Sequence, residues 1–349
     1  MNNFTWDINK IQQNRKEVVR LISKNNCDKE EIEHFKTCLS VYESLIDCCN
    51  GAALETEEID FKYLRDGFNN FRYEYNKNIK KLFLDIIKSI KIDNNFEYTE
   101  ELPKYNLSME ESIELNKMFF RMLDYKLYEK VCEILDPKKN LIYVRENDYS
   151  FGVCWLDGFK NLPYIVFGSN NTIETTAILN HELSHGVEFL LNPSIIDSQK
   201  EPLNEMVAIF NELVYCDFLI EEGFGVESMI QHKINMFISF TEDYDLTHEA
   251  VRLARVNKKN YKKSTKNLFE LDFDIEGEIV SFVSFLAALQ LYEQYLEDKD
   301  YAVYNLNKFI KCNRNVDFLD ILDEIDINIF DSERCVGNHV NRLKKELYM

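Results

Sequence analysis

Proline and glycine are scarce, with five and ten respectively in 349 residues. The turn punctuation that a β-rich or loop-rich chain needs is therefore missing. Helical periodicity takes its place: KEVVRLISK, EEIEHFKTCLSVYESLIDCC and NIKKLFLDIIKSI carry apolar residues at intervals of three and four. No uninterrupted apolar run reaches the length of a bilayer-spanning helix. The opening stretch MNNFTWDINKIQQNRKE shows no basic start followed by an apolar run and a small-residue cleavage site, so a cytoplasmic location without membrane association is expected. The nine cysteines contain no CxxC pair, and an odd, scattered set fits reduced thiols better than a disulfide framework. Basic residues are also outnumbered: 41 Lys and Arg stand against 61 Asp and Glu, a net charge of −20. That balance argues against a nucleic-acid partner, whose binding rests largely on cations neutralising phosphates. The cluster Lys258, Lys259, Lys262 and Lys263 reads as a solvated face.

Neither an internal repeat nor a low-complexity linker divides the chain. The polar stretch KIDNNFEYTEELPKYN, 91–106, is the best candidate boundary, separating an N-terminal helical region, 1–105, from a second region, 106–349. Just beyond it, Ser108 followed by Glu111 has the form of a capping box opening a helix. LIYVREN and FGVCWLDGFKNLPYIVFGS then carry the β-branched and aromatic runs of a small sheet, with Pro163 suited to an edge strand. Two helices follow. One runs from about Thr172 to Asn192 and stops before Pro193; the other is EPLNEMVAIFNELVYCDFLIEEG, with Pro202 near its start and Gly223 past its end.

The first of these helices contains HELSH. Residues four apart on a helix lie one above the other, so His181 and His185 can aim imidazole nitrogens at one metal ion, with Glu182 beside them. Leu179, Leu183, Val187 and Leu190 fall on the opposite face as core candidates, leaving Glu174, Ala177, His181, His185 and Glu188 on the site face. With six histidines in the chain this pattern alone is a modest signal. The second helix strengthens it. Catalytic zinc takes three protein ligands and keeps a position open, so a third donor is needed. Glu205 sits on a helix that is apolar over most of its circumference, where a carboxylate is costly unless a metal or a metal-bound histidine accompanies it. Glu212, on the same narrow face, is the candidate to support a metal ligand from behind.

These segments resemble the thimet oligopeptidase and oligoendopeptidase F family of zinc peptidases. HELSH matches the family's HExGH, NEMVAIFNELVYCDFL looks like its glutamate-bearing helix, and LPYIVFGSNNTIETTAILNHELSHGVEF looks like its edge strand and zinc helix. The similarity runs from Leu107 through FGVCW to FLAALQLYEQYLEDKDY, specific in the middle and diffuse at both ends. The resemblance implies a mainly α fold, with a zincin-like (gluzincin) catalytic domain over 106–349 and a small β-sheet beside the active-site helix. It implies one Zn2+ on His181, His185 and Glu205, Glu182 as general base, and unfolded peptide substrates added as a strand against PYIVF. The activity expected is that of a zinc-dependent metalloendopeptidase on short peptides.

Two departures stand out. Ser184 replaces the family's glycine, and FELDFDIEGEIVSFVSFLAAL lacks the histidine and tyrosines that the family uses on the developing oxyanion. His248, Tyr244, Tyr261 and Tyr292 are the available substitutes, with nothing to choose between them. Two further readings follow: a processing peptidase dedicated to the leader of one peptide, and a peptide-binding pseudopeptidase. Glu182 counts against the last, since a binding module has no need of a general base.

Overall fold

The structure is a computed structural model that describes residues 6–23, 29–50, 105–146, 151–193, 202–240, 282–312 and 318–347. The stretch 78–90 and most of the 91–106 boundary lie outside the described residues, as do Tyr244, His248, Tyr261 and the lysine cluster. The described residues are mainly helical, and they fall into two compact units. One unit combines the residues before Lys62 with Asn106–Ser198, and the other contains those from Gln199 onward.

The first unit is built around a three-stranded sheet, β1 (Ile142–Glu146), β2 (Phe151–Asp157) and β3 (Leu162–Ser169), in the order β1-β3-β2. β1 runs parallel to β3, with Ile142 opposite Ile165, and β2 runs antiparallel to it, with Gly152 opposite Phe167 and Cys154 opposite Ile165. Opposed residues share a face, so the register sorts the side chains into two sets. Tyr143, Trp155 and Tyr164 point one way and meet Trp6, with ring centroids 5.2, 6.0 and 6.1 Å from it. The same face receives α2 (Lys29–Cys49) through a 2.6 Å hydrogen bond from the buried Tyr42 hydroxyl to Asp157, and α1 (Ile8–Ile22) packs against α2.

The other face of the sheet receives α5 (Ile173–Leu191), which is also packed against α3 (Met109–Leu123) and α4 (Tyr125–Ile134). Helix boundaries follow local chemistry. Ser108 and Glu111 form the expected capping box at the start of α3, and Asp124 caps α4 by accepting from the Lys126 and Leu127 amides. A buried amide ladder ties α3 to α5: Asn180 donates to Asn116 at 3.0 Å, and Asn116 donates to the Thr176 hydroxyl at 3.0 Å.

Two expectations are corrected here. Among the described residues β3, the PYIVF strand, is central rather than at an edge, and β1 and β2 are the outer strands. Pro163 is tolerated because β1 begins only opposite Ile165, leaving β2 as the sole paired neighbour at that position. The two-faced division of α5 holds in part: Glu174, His181 and His185 are half-buried on one face, and Leu179, Leu183 and Val187 are buried on the other. Ala177 and Glu188, assigned to the site face, are buried, while Leu190 is half-exposed, because sheet and helices enclose α5 on several sides.

The second unit is helical throughout its described residues. α6 (Pro202–Glu221) begins at a proline and ends in a Schellman motif, in which the Phe224 amide donates to the Leu219 carbonyl at 2.8 Å and the Gly223 amide to Ile220 at 3.1 Å. Gly223 takes the left-handed conformation this motif requires, with φ of 80°. α7 (226–240), α8 (282–297), α9 (Lys299–Lys311), α10 (Phe318–Asp323) and α11 (Ser332–Leu347) complete the unit. Its interior holds a charged cluster. Lys233, fully buried, donates to Asp217 at 2.7 Å and to both Glu346 oxygens at 2.9 Å, while Tyr292 donates to Asp217. Arg342 lies over the Tyr292 ring and pairs with Glu293 at 2.9 Å. Each charge has an opposite partner, which is the condition under which ions are tolerated in an interior.

Candidate metal centre

α5 carries His181 and His185 one turn apart, both half-buried. Their Nε2 atoms approach to 3.2 Å. Two nitrogens each about 2.1 Å from one tetrahedral zinc ion stand roughly 3.4 Å apart, so the pair is spaced to share an ion. A Glu205 carboxylate oxygen joins them: the ligand atoms of His181, His185 and Glu205 all lie within 4.8 Å of one another. Among the described residues this is the one group of three metal-ligating side chains so disposed. Two imidazoles and a carboxylate form a borderline donor set that suits zinc and leaves a fourth position for water. No thiol belongs to this group. Burial pushes the Cys154 thiol well above its ordinary value, reinforced by the Glu182 charge, and burial does the same to Cys216 with Glu212 second among its causes.

Glu182 is 7% exposed and faces the sheet. A side chain added at Gly152 on β2 would put its Cβ 2.8 Å from the Glu182 Oε1 and 2.9 Å from its Cδ. One turn further along α5, a Cβ at Gly186 would meet Ile134 Cδ1 at 2.9 Å and Pro163 Cβ at 3.4 Å. Glycine on the helix and glycine on the strand thus mark the close approach of α5 to the sheet.

Glu212, on α6, is hydrogen bonded to His232 of α7 at 2.7 Å, the two side chains being only 10% and 12% exposed. His232 carried no signal in the sequence, where it is a single histidine in a polar stretch. Tyr292, one of the four candidate oxyanion donors, is buried among the helices of the second unit with its hydroxyl on Asp217, so that hydroxyl is committed elsewhere.

The fold is helix-dominated, with a three-stranded sheet beside the histidine-bearing helix. It is shared with solved peptidase structures. A structure described as an oligoendopeptidase F from Bacillus anthracis str. Ames is 15% identical with a TM-score of 0.61, over 92% of this chain and 64% of its own. PZ peptidase A bound to an inhibitor is 13% identical with a TM-score of 0.56, over 91% of this chain and 66% of its own. A peptidase from Chlamydophila abortus is 14% identical with a TM-score of 0.52, over 97% of this chain and 63% of its own. The chain therefore spans slightly less than two thirds of the length of these structures. No family model matches the sequence, and no curated protein does.

Proposed function

We propose that the chain is a cytoplasmic zinc-dependent endopeptidase that hydrolyses short, unfolded peptides. The observation that carries this reading is the convergence of His181, His185 and Glu205 ligand atoms next to a buried Glu182. The peptidase identity of the structures sharing the fold supports it. Among the described residues no helix is long and apolar enough to cross a membrane.

In this reading His181, His185 and Glu205 would hold one Zn2+, which would supply Lewis acidity for the scissile carbonyl and for a water nucleophile near neutral pH. Glu182 takes the proton from the attacking water and delivers it to the leaving amine. Its low exposure keeps bulk water from competing for that proton. Among the described residues β2 is an outer strand, and it carries Gly152 against Glu182, so an extended peptide has a strand to lie along beside the base.

The test is to expose a diverse peptide mixture to the wild type and to Glu182→Gln, reading cleavage by mass spectrometry and zinc content on both preparations. Cuts made by the wild type alone, with equal zinc in both, are expected. No cuts from either zinc-loaded protein would overturn a general endopeptidase. That result would leave a processing enzyme dedicated to one peptide, or a peptide-binding relative.

A further inference from the structure

We propose that Gly152 is a positioning residue for Glu182: the missing side chain on β2 makes the space in which the glutamate side chain lies, and the strand backbone thereby sets where its carboxylate sits. The role assigned to the carboxylate rests on the peptidase reading; the steric relation between the two residues does not.

Several observations carry the inference. A Cβ at Gly152 would come within 2.8 Å of Oε1 and 2.9 Å of Cδ, and closer still to Cγ, so it would press on the body of the Glu182 side chain as well as its tip. Neither backbone can retreat easily. Gly186, one turn along α5 from Glu182, has Pro163 and Ile165 of β3 at van der Waals distance from where its Cβ would stand. Phe167, opposite Gly152 in the β2–β3 register, is fully buried on the same face. Cys154 shares that face two residues along β2 and is half-buried. With strand and helix held together on both sides, an added methyl at residue 152 is relieved by turning the Glu182 side chain away from its rotamer. A glycine inside a strand weakens it, and close approach of another group is one of the reasons such a residue occurs. For a proton acceptor, a displacement of about 1 Å costs on the order of a hundredfold in rate.

The experiment is a double-mutant cycle in the full-length chain. Gly152→Ala, Glu182→Ala and the double variant are compared with wild type by urea denaturation midpoint, with zinc content measured on each. Gly152→Ala is expected to lower the midpoint, and Glu182→Ala, which removes the atoms it collides with, is expected to recover at least half of that loss. If Gly152→Ala folds only in the Glu182→Ala background, the inference also stands. Equal losses in both backgrounds, or failure to fold in both, would overturn it, because Gly152 would then serve the strand alone. On a fluorogenic peptide built from a wild-type cleavage sequence, Gly152→Ala is expected to lower kcat by ten- to a hundredfold with KM within about twofold and zinc unchanged. A rise in KM with kcat preserved would place Gly152 in peptide binding and overturn the positioning role. A wild type that cleaves nothing, with the midpoint recovery intact, would remove the peptidase reading and leave Gly152 as the residue that places Glu182.

Discussion

Glu212 and His232 illustrate what a single pair contributes. The imidazole meets the carboxylate at 2.7 Å with both groups nearly enclosed, so water offers little replacement. His232→Leu removes a hydrogen bond to an acidic group, and a loss of about 2 kcal/mol is expected. Glu212→Gln keeps the shape and an acceptor oxygen and should cost less. Urea midpoints for the two variants check this, and equal effects would show that the carboxylate charge is what His232 needs. Legibility in the sequence varied residue by residue for physical reasons. His181 and His185 were visible because a four-residue spacing has a geometric meaning on a helix. Gly152 carries a signal of its own: a glycine inside the strand run FGVCW implies close approach of something. His232 had none, since its partner is 20 residues away on another helix. Tyr292 was visible as a tyrosine but not as a buried donor, because its acceptor, Asp217, comes from a different helix.

At the scale of elements, α5 shows how little room the sheet leaves. Gly186→Leu places a branched side chain where Ile134, Pro163 and Ile165 already stand, and a destabilisation of about 2 kcal/mol is expected from overpacking. Thermal melting reads the loss, and an unchanged midpoint would mean that α5 can lift from the sheet. The limits of α5 and α6 were close to those expected, since Thr172, Pro202 and Gly223 are local stop and start signals. The faces of α5 were legible only in part, because burial depends on what surrounds a helix: Ala177 and Glu188, expected on the site face, are buried. The place of β3 in the sheet differs from the expected edge on similar grounds. Pro163 reports that one side of β3 is unpaired at that residue, and β1 pairs only from Ile165 onward.

Across the whole molecule, the contacts that matter are long in sequence. Tyr42 and Asp157 are 115 residues apart, and Lys233 and Glu346 are 113 apart, so no local pattern announces either pair. The second of these clusters has a pH consequence. His339, fully buried on α11, lies near the rings of Phe237 and Tyr292. Burial, followed by the cations Lys233 and Arg342, holds its imidazole well below the ordinary histidine value. The anions of the cluster, Asp217, Glu293 and Glu346, are engaged by those cations. In the unfolded chain the same imidazole takes a proton near its ordinary value. Between that value and the lower folded one the unfolded state binds more protons, so stability falls as pH falls, by up to about 1.4 kcal/mol per pH unit. Urea midpoints at pH 7 and pH 5 should therefore drop further for the wild type than for His339→Leu. Parallel drops would show that His339 does not remain neutral in the fold.

The aromatic cluster on the outer face of the sheet has a practical consequence for spectroscopy. The sequence has two tryptophans, and both of them, Trp6 and Trp155, belong to that cluster, with ring centroids 6.0 Å apart. Tryptophan emission is thus a built-in probe of the first unit, silent about the second, whereas far-ultraviolet circular dichroism sees the helices of both. Melting curves that coincide by the two methods would mark cooperative unfolding of the whole, and curves that separate would report the order in which the units let go.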